Sequence, residues 1–322
     1  MKVAHWTFFN GSGLANMAAE MAEAEKPFGV DVVICDTQKP ATWAAGMDAD
    51  IHVVHSHVPD AISFDKTKKL VDVQHGSPEH TFELSVTQGL YGNYGASDSF
   101  AVTGFLLKRA DAVVSMWERQ AYLLESMTRA KVYTVPMGVD TKFWMPVPKQ
   151  KLLSGKPSVL TGENSHTCKW PVDIMFTWGK IAEQLHDARL HAINVPHDQH
   201  KWWFPLAYMT NTMYSAYMSA FRCGKNQLRD FFCAADYYYS PVEYGDHNRV
   251  SLEAAACGTK VISYRGNQWA HYWITEGDQR IQVQEMLAIL KGETKPREVP
   301  KVPDITETAE AMLKVYEEVL RK

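Results

Sequence analysis

The feature that most constrains this chain is an alternation of short β-rich runs with helical stretches, which lapses once in mid-chain and then resumes. VAHWTFF at 3–9 predicts a strand, closed by Asn10-Gly-Ser-Gly13, and LANMAAEMAEAE at 14–25 predicts a helix. Further strands are expected at 30–35, 51–55, 70–74, 112–115 and 131–135, with helices near 98–109 and 117–128. Strands separated by helices imply βαβ crossovers and a parallel sheet covered on both faces. The pattern lapses over 141–157, where FWMPVPKQKLLSGKP holds three prolines and reads as an interdomain linker. It then restarts, with strands at 158–162, 189–195, 237–240 and 260–264 and helices at 171–185, 205–220, 226–235, 249–257 and 281–291. The expected fold class is α/β, as two successive Rossmann-like domains, 1–150 and 151–303. No period of about 20–50 residues repeats in detail, which argues against a solenoid.

The tail, ITETAEAMLKVYEEVLRK, follows a polar, proline-rich stretch and forms the last expected element, a helix over 304–322. Ile305, Ala309, Met312, Leu313, Tyr316, Val319 and Leu320 fall on one helical face, which needs a surface to bury against. Either domain can supply that surface.

Composition narrows the function classes. The chain has 322 residues, 46% of them apolar and 22% charged, which excludes a disordered chain, a collagen-like chain or a small disulfide scaffold. A net charge of −4 gives no overall cationic field to drive unspecific binding to nucleic acid or anionic lipid. The opening MKVAHWTFFNGSG has a short apolar run that holds His5 and ends in a glycine turn, unlike a secretory signal. No stretch approaches the roughly 18 apolar residues of a membrane-spanning helix. The five cysteines are odd in number and form no CxxC pair, which points to reduced thiols and a cytoplasmic setting. Cys35 and Cys257 lie in apolar contexts and read as small core residues.

Two segments carry chemistry. Asn10-Gly-Ser-Gly13 joins a strand to a helix, so its backbone N–H groups can face an anion, although Asn16 leaves a GxGxxG pattern incomplete. A plain strand–helix turn explains it equally well. The stretch SPVEYGDHNRVSLEAAACGTKVISYRG at 240–266 is richer. A strand ends at Ser240, a polar loop carries Glu243, Asp246, His247, Asn248 and Arg249, and a helix starts near Val250 and ends at Gly258. Such a loop at the carboxyl edge of a parallel sheet is where nucleotide phosphates bind. Arg249 can add a charge contact to a diphosphate, and Glu253 can accept hydrogen bonds from ribose hydroxyls. The plainer alternative is a solvated loop followed by an amphipathic helix.

Five segments, in order, resemble a known family. LEAAACGTKVIS resembles the LEAMACGxPVI signature of retaining GT-B glycosyltransferases of the GT4 type, and Val135-Pro-Met-Gly138-Val139-Asp140-Thr-Lys-Phe143 resembles their NGVDxxxF stretch. ADAVVSMWERQAYLLE, DADIHVVHSHVPD and VDVQHGSP resemble three further segments of that family. The resemblance covers roughly residues 1–265 and the final helix, with 195–220 poorly matched. It implies two Rossmann-like domains facing across a cleft, with a nucleoside-diphosphate sugar mainly on the C-terminal domain and the acceptor mainly on the N-terminal one. It assigns Glu253 to the donor ribose and the backbone of Asn248, Arg249 and Val250 to the diphosphate. Lys169 resembles the lysine that neutralises the donor phosphates, with Asn164 in the same loop. His75 matches the histidine near the reacting sugar, and Gly11 and Gly13 resemble the glycine loop facing the phosphate. Phe221 and Arg222 fall where the family holds the nucleotide base.

The chain also departs from that pattern. The second family glutamate, eight residues before Glu253, is replaced by Gly245, with Glu243 and Asp246 nearby. The family arginine of the GRLxxxKG run is replaced by Glu163, and Lys169 comes one residue late. Arg249 or Arg222 can supply the missing positive charge. A leaving nucleoside diphosphate gathers negative charge as the glycosidic bond breaks, and cations and helix N–H groups aimed there stabilise it without a metal. The catalytic set expected is therefore His75, Lys169 and Arg249, with no cofactor required.

Other features have quieter readings. His52, His55 and His57 sit on or beside one strand, but no nearby Cys or Glu completes a metal set, so strand-end histidines lining a cleft is the simpler account. Trp202, Trp203 and Phe204 can stack on a sugar or base, whereas most of 201–221 reads as core. The basic cluster KTKK at 66–69 reads as a solvated face. The expected function is retaining transfer of a sugar from a nucleoside-diphosphate sugar to a saccharide, lipid-linked or modified-base acceptor. The alternatives are a phage-type enzyme acting on hydroxymethylated bases in DNA, a non-catalytic nucleotide-sugar binder and, more distantly, a Rossmann oxidoreductase.

Overall fold

The computed structural model describes residues 1–7, 13–55, 58–76, 104–148, 150–162, 171–193, 223–242 and 249–321. The chain divides into two compact units, Met1–Asp140 with Pro303–Lys322, and Thr141–Val302.

The first unit is built on a six-stranded, all-parallel sheet of β1 (Lys2–Thr7), β2 (Asp31–Asp36), β3 (Ile51–Val54), β4 (Lys69–Gln74), β5 (Ala112–Ser115) and β6 (Lys131–Thr134). Its order is β2-β1-β3-β4-β5-β6. The three central strands are buried on both faces, which is why they read in sequence as almost unbroken apolar runs. Helix α1 (Gly13–Glu25) crosses from β1 to β2, and α2 (Glu118–Glu125) from β5 to β6. The core on one face collects Ala4, Trp6, Cys35, Val54, Ile62 and Leu70. The Cys35 thiol is pushed up to about 11 by burial, as befits a small core residue.

The second unit repeats the plan with five parallel strands, β7 (Ser158–Thr161), β8 (Arg189–Ala192), β9 (Tyr237–Ser240), β10 (Lys260–Tyr264) and β11 (Tyr272–Ile274), ordered β11-β10-β9-β7-β8. Helices α3 (Pro171–Ala182), α4 (Lys225–Ala234), α5 (Arg249–Ala256) and α6 (Gln279–Leu290) accompany it. Trp178, Tyr239, Tyr264 and Met286 lie in its core. Asp278 caps α6 by accepting hydrogen bonds from the Arg280 and Ile281 amides. The α5 helix ends where the sequence predicts: Gly258, at φ 84°, donates to the Ala255 carbonyl while Thr259 donates to Ala254, a Schellman closure that favours glycine.

Two boundaries differ from the sequence expectation of domains at 1–150 and 151–303 and a separate helix at 304–322. The division falls after Asp140, because the following segment packs on the second unit. Trp144 is 2% exposed with its ring 6.0 Å from that of Phe232, and the Lys225 ammonium lies 4.4 Å from the Phe143 ring. The last helix, α7 (Ile305–Arg321), belongs to the first unit, where Ile305 and Ala309 cluster with Ala24 of α1. Its buried face holds Thr308 and Val315 in place of Leu313 and Leu320, the latter 43% exposed. The strand β11 was not expected, and the whole of the helix expected at 205–220 lies outside the described residues. The described cysteines, Cys35, Cys223, Cys233 and Cys257, are free thiols. Among the described residues no helix is long and apolar enough to cross a membrane.

Candidate functional site

Both sheets change direction of progress at their first strand. In the first unit the chain moves outward from β1 to β2, then returns to place β3 on the other side of β1; in the second, β8 and β9 flank β7 in the same way. Such switch points open a crevice at the carboxyl ends of the two adjacent strands, the usual ligand position in an open parallel sheet.

In the second unit those strand ends are Thr161 and Ser240. The segments that follow them in the chain, 163–170 and 243–248, lie outside the described residues. Asn164, Lys169, Glu243, Asp246 and Asn248 lie outside the described residues, as do Gly11, Phe221 and Arg222. The helix that follows the second of these segments is described. Arg249 is its first residue and Val250, half-buried, its second. The Arg249 Nε donates to Glu253 Oε1 at 2.9 Å, one turn along, with both side chains 11% exposed. The sequence reading gave these residues separate ligand contacts, so their mutual pairing is a further finding. It fixes the carboxylate within the first turns of the helix, whose N-terminal end favours a negative group. A cation and a carboxylate held together at the head of a helix suit a ligand with an anionic part and hydroxyl donors.

In the first unit the predicted His75 directly follows β4 and is half-buried. It does not stand alone. Register places His5 opposite Val53 and Val53 opposite Val71, so His5, His55 and His75 share one face of the sheet and step outward along β1, β3 and β4. His75 Nε2 lies 2.7 Å from His55 Nδ1, and His55 Nε2 lies 2.9 Å from His5 Nδ1. His5 Nε2 is 3.0 Å from Glu25 Oε2, and Tyr316 of α7 donates to Glu25 Oε1 at 2.7 Å. His5, Glu25 and Tyr316 are fully buried, and His55 is 4% exposed. Burial holds the His55 imidazole well below the usual histidine range, helped by its two histidine neighbours, so it is neutral. Burial, with the Glu25 carboxylate beside it, keeps the Tyr316 phenol protonated.

The sequence reading had noted the histidines near 52–57 but not Glu25 or Tyr316. The one available signal was the parity of His5, His55 and His75, visible only once strand order and register are known. His52 faces the other way, accepting from Trp6 Nε1 at 3.2 Å, and burial lowers it to about 4. His57 lies outside the described residues. Among the described residues no group of three or more His, Cys, Asp or Glu is placed to hold a metal ion.

Gly13 opens α1, the element that follows the switch-point strand β1 in the chain. A cavity of about 1040 Å³ lies elsewhere, at the amino edge of the second sheet, beside Ser158, Arg189 and Asp236 at or just before their strands. It contains none of the predicted site residues, and it sits at the edge opposite the one parallel sheets use for ligands.

No protein-family model matches the sequence, and no curated protein matches it. Solved structures share its fold. The sucrose-phosphate synthase of Thermosynechococcus elongatus matches with a TM-score of 0.73 and 14% identity, covering 100% of this chain and 96% of that one. HepE of Anabaena, solved in complex with UDP-glucose, matches with a TM-score of 0.65 and 14% identity, covering 100% and 98%. AviGT4, a glycosyltransferase involved in avilamycin A biosynthesis, matches with a TM-score of 0.64 and 12% identity, again covering 100% and 98%. The two parallel-sheet α/β units are thus those of the GT-B architecture.

Proposed function

We propose that this chain is a cytoplasmic glycosyltransferase of the GT4-like retaining type, moving a sugar from a nucleoside-diphosphate sugar to an acceptor hydroxyl. The observation that carries the reading is the head of α5. There an arginine and a glutamate are paired in the first turns of the helix that follows β9, a strand beside the switch point. The fold likeness to HepE in complex with UDP-glucose supports the same donor class.

On this reading the second unit takes the donor and the first takes the acceptor. Arg249, Lys169 and the amides of Asn248 and Val250 stabilise the departing diphosphate, with no metal required. Glu253, oriented by Arg249, accepts hydrogen bonds from the ribose; Asn164, Glu243 and Asp246 complete the donor loops, and Phe221 and Arg222 meet the base. Gly11 and Gly13 face the phosphate from the first unit, and His75 stands beside the transferred sugar.

A thermal-shift panel of UDP-, GDP-, ADP- and TDP-sugars tests the reading, because a ligand that binds only the folded state raises its melting temperature. One of the four should stabilise the protein and the others little; no shift with any of them contradicts the proposal. Glu253→Ala should weaken binding of the active donor about 10- to 100-fold, since a hydrogen bond to a charged group is worth about 1.5–3 kcal/mol. Equal affinity in the variant removes Glu253 from the site. The product's anomeric proton coupling then reports retention or inversion.

A further inference from the structure

The histidine row has a direction, and the direction has a consequence for the atom His75 presents. A glutamate carboxylate only accepts hydrogen bonds, and Glu25 accepts from Tyr316 through Oε1. The Nε2 of His5, 3.0 Å from Oε2, must therefore carry a proton. A single proton on the His5 ring, at Nε2, makes its Nδ1 an acceptor. His55 meets that nitrogen with Nε2 and so donates from it, leaving His55 Nδ1 to accept. His75 meets His55 Nδ1 with Nε2, and so donates from Nε2 in turn. One buried carboxylate thus orders three imidazoles in the same sense, over three adjacent strands and the helix behind them.

We propose that Glu25, His5 and His55 form a buried positioning relay that holds His75 as its Nε2–H tautomer, making Nδ1 the accepting nitrogen of His75 at the carboxyl edge of the first sheet. The relay is anchored from the far end of the chain, because Tyr316 on α7 occupies the second oxygen of Glu25 and turns Oε2 toward His5. The stacking of the rings fits this role: His5 and His55 lie with centroids 5.2 Å apart and planes 19° apart, and His55 and His75 with centroids 5.0 Å apart. Such packing leaves little freedom to rotate a ring and exchange its nitrogens.

Long-range proton–nitrogen spectra of uniformly 15N-labelled full-length protein report which ring nitrogen of each histidine carries the proton. The proposal predicts Nε2–H for His5, His55 and His75, with 15N–15N couplings across the two imidazole–imidazole hydrogen bonds. An Nδ1–H tautomer at His55 or His75, or missing couplings, overturns it. In His55→Leu the relay is cut and His75 should show both tautomers, as a free imidazole does. A single unchanged tautomer there means that something else holds the ring, and the proposal fails. Glu25→Gln, whose amide can either donate or accept, should give mixed or inverted tautomers at His5; unchanged spectra remove Glu25 from the relay. If either variant does not fold, the wild-type spectrum alone still decides. With a working donor and acceptor, His55→Leu should lower kcat about tenfold and leave KM for the sugar nucleotide little changed. A spectrum as predicted with no turnover on any sugar nucleotide would keep the relay and overturn only the transferase reading.

Discussion

Asp72→Asn should stabilise the first unit at neutral and alkaline pH by about 3 kcal/mol, and the gain should vanish toward pH 4. Asp72 sits in mid-sheet on β4, between Val54 and Val113 on the neighbouring strands, and is 2% exposed. Its one described partner is Gln74, whose Nε2 donates to Oδ2 at 2.8 Å. Burial raises its carboxyl from 3.8 to about 7. An acid whose folded value lies above its unfolded one binds more protons when folded, so it costs stability as pH rises from about 4 to about 7. A shift of this size is worth roughly 4 kcal/mol, from which the asparagine N–H group, left without a partner, takes back about 1. His52 works in the opposite sense. Its folded value of about 4 lies below the ordinary 6.5, so it loses stability as pH falls from 6.5 to 4. The two trends offset one another in the wild type between those values. Removing the aspartate should therefore expose a steeper loss of stability toward acid. Urea unfolding followed by tryptophan fluorescence over pH 4–8 measures this, and a difference independent of pH contradicts it.

Gly138→Ala should destabilise the first unit by about 2–3 kcal/mol, in the range of overpacked cores. The returning chain crosses directly over this glycine. A Cβ there would lie 2.4 Å from the Asp304 carbonyl oxygen, 2.7 Å from its carbon and 2.7 Å from Thr308 Oγ1. The crossing is tied on both sides. Val139 donates to the Pro303 carbonyl, Ile305 donates to Val139, and the Gly138 amide donates to Thr308 Oγ1, which donates in turn to Pro136. The side chain cannot enter without moving the backbone that starts α7. Because α7 carries Tyr316, the substitution should also loosen the Glu25 end of the histidine row. Gly104→Ala, where a Cβ meets no atom of the described residues within 4 Å, is the control and should change stability little. Equal melting temperatures for the two variants would remove the crossing as the reason for the glycine.

Much of the fold was legible because fully buried parallel strands are written as apolar runs. AVVS at 112–115, YYYS at 237–240 and KVISY at 260–264 form strands at those residues. The strand Tyr272–Ile274 was missed because three residues, with Trp273 38% exposed, carry no usable period. The boundary set at 150 moves to Asp140 because proline content marks an irregular backbone, not which unit the chain packs on. Trp144 and Phe143 decide that through contacts to residues about 80–90 positions away, with Phe232 and Lys225. Arg249 and Glu253 are one helical turn apart, so local spacing explains their pairing, although the sequence reading gave them separate ligand contacts. Glu25, His5, His55 and Tyr316 meet His75 only through sheet order and the return of the last helix, which no local pattern records.

The central claim is that a nucleotide sugar is held at the carboxyl edge of the second sheet. Amide hydrogen exchange of the full-length protein, with and without the stabilising sugar nucleotide, locates the ligand directly. The account predicts slowed exchange in peptides that span 161–170 and 240–253. Protection confined to the opposite edge, around Ser154–Ser158 and Asp187–Arg189, or no protection anywhere, would contradict it.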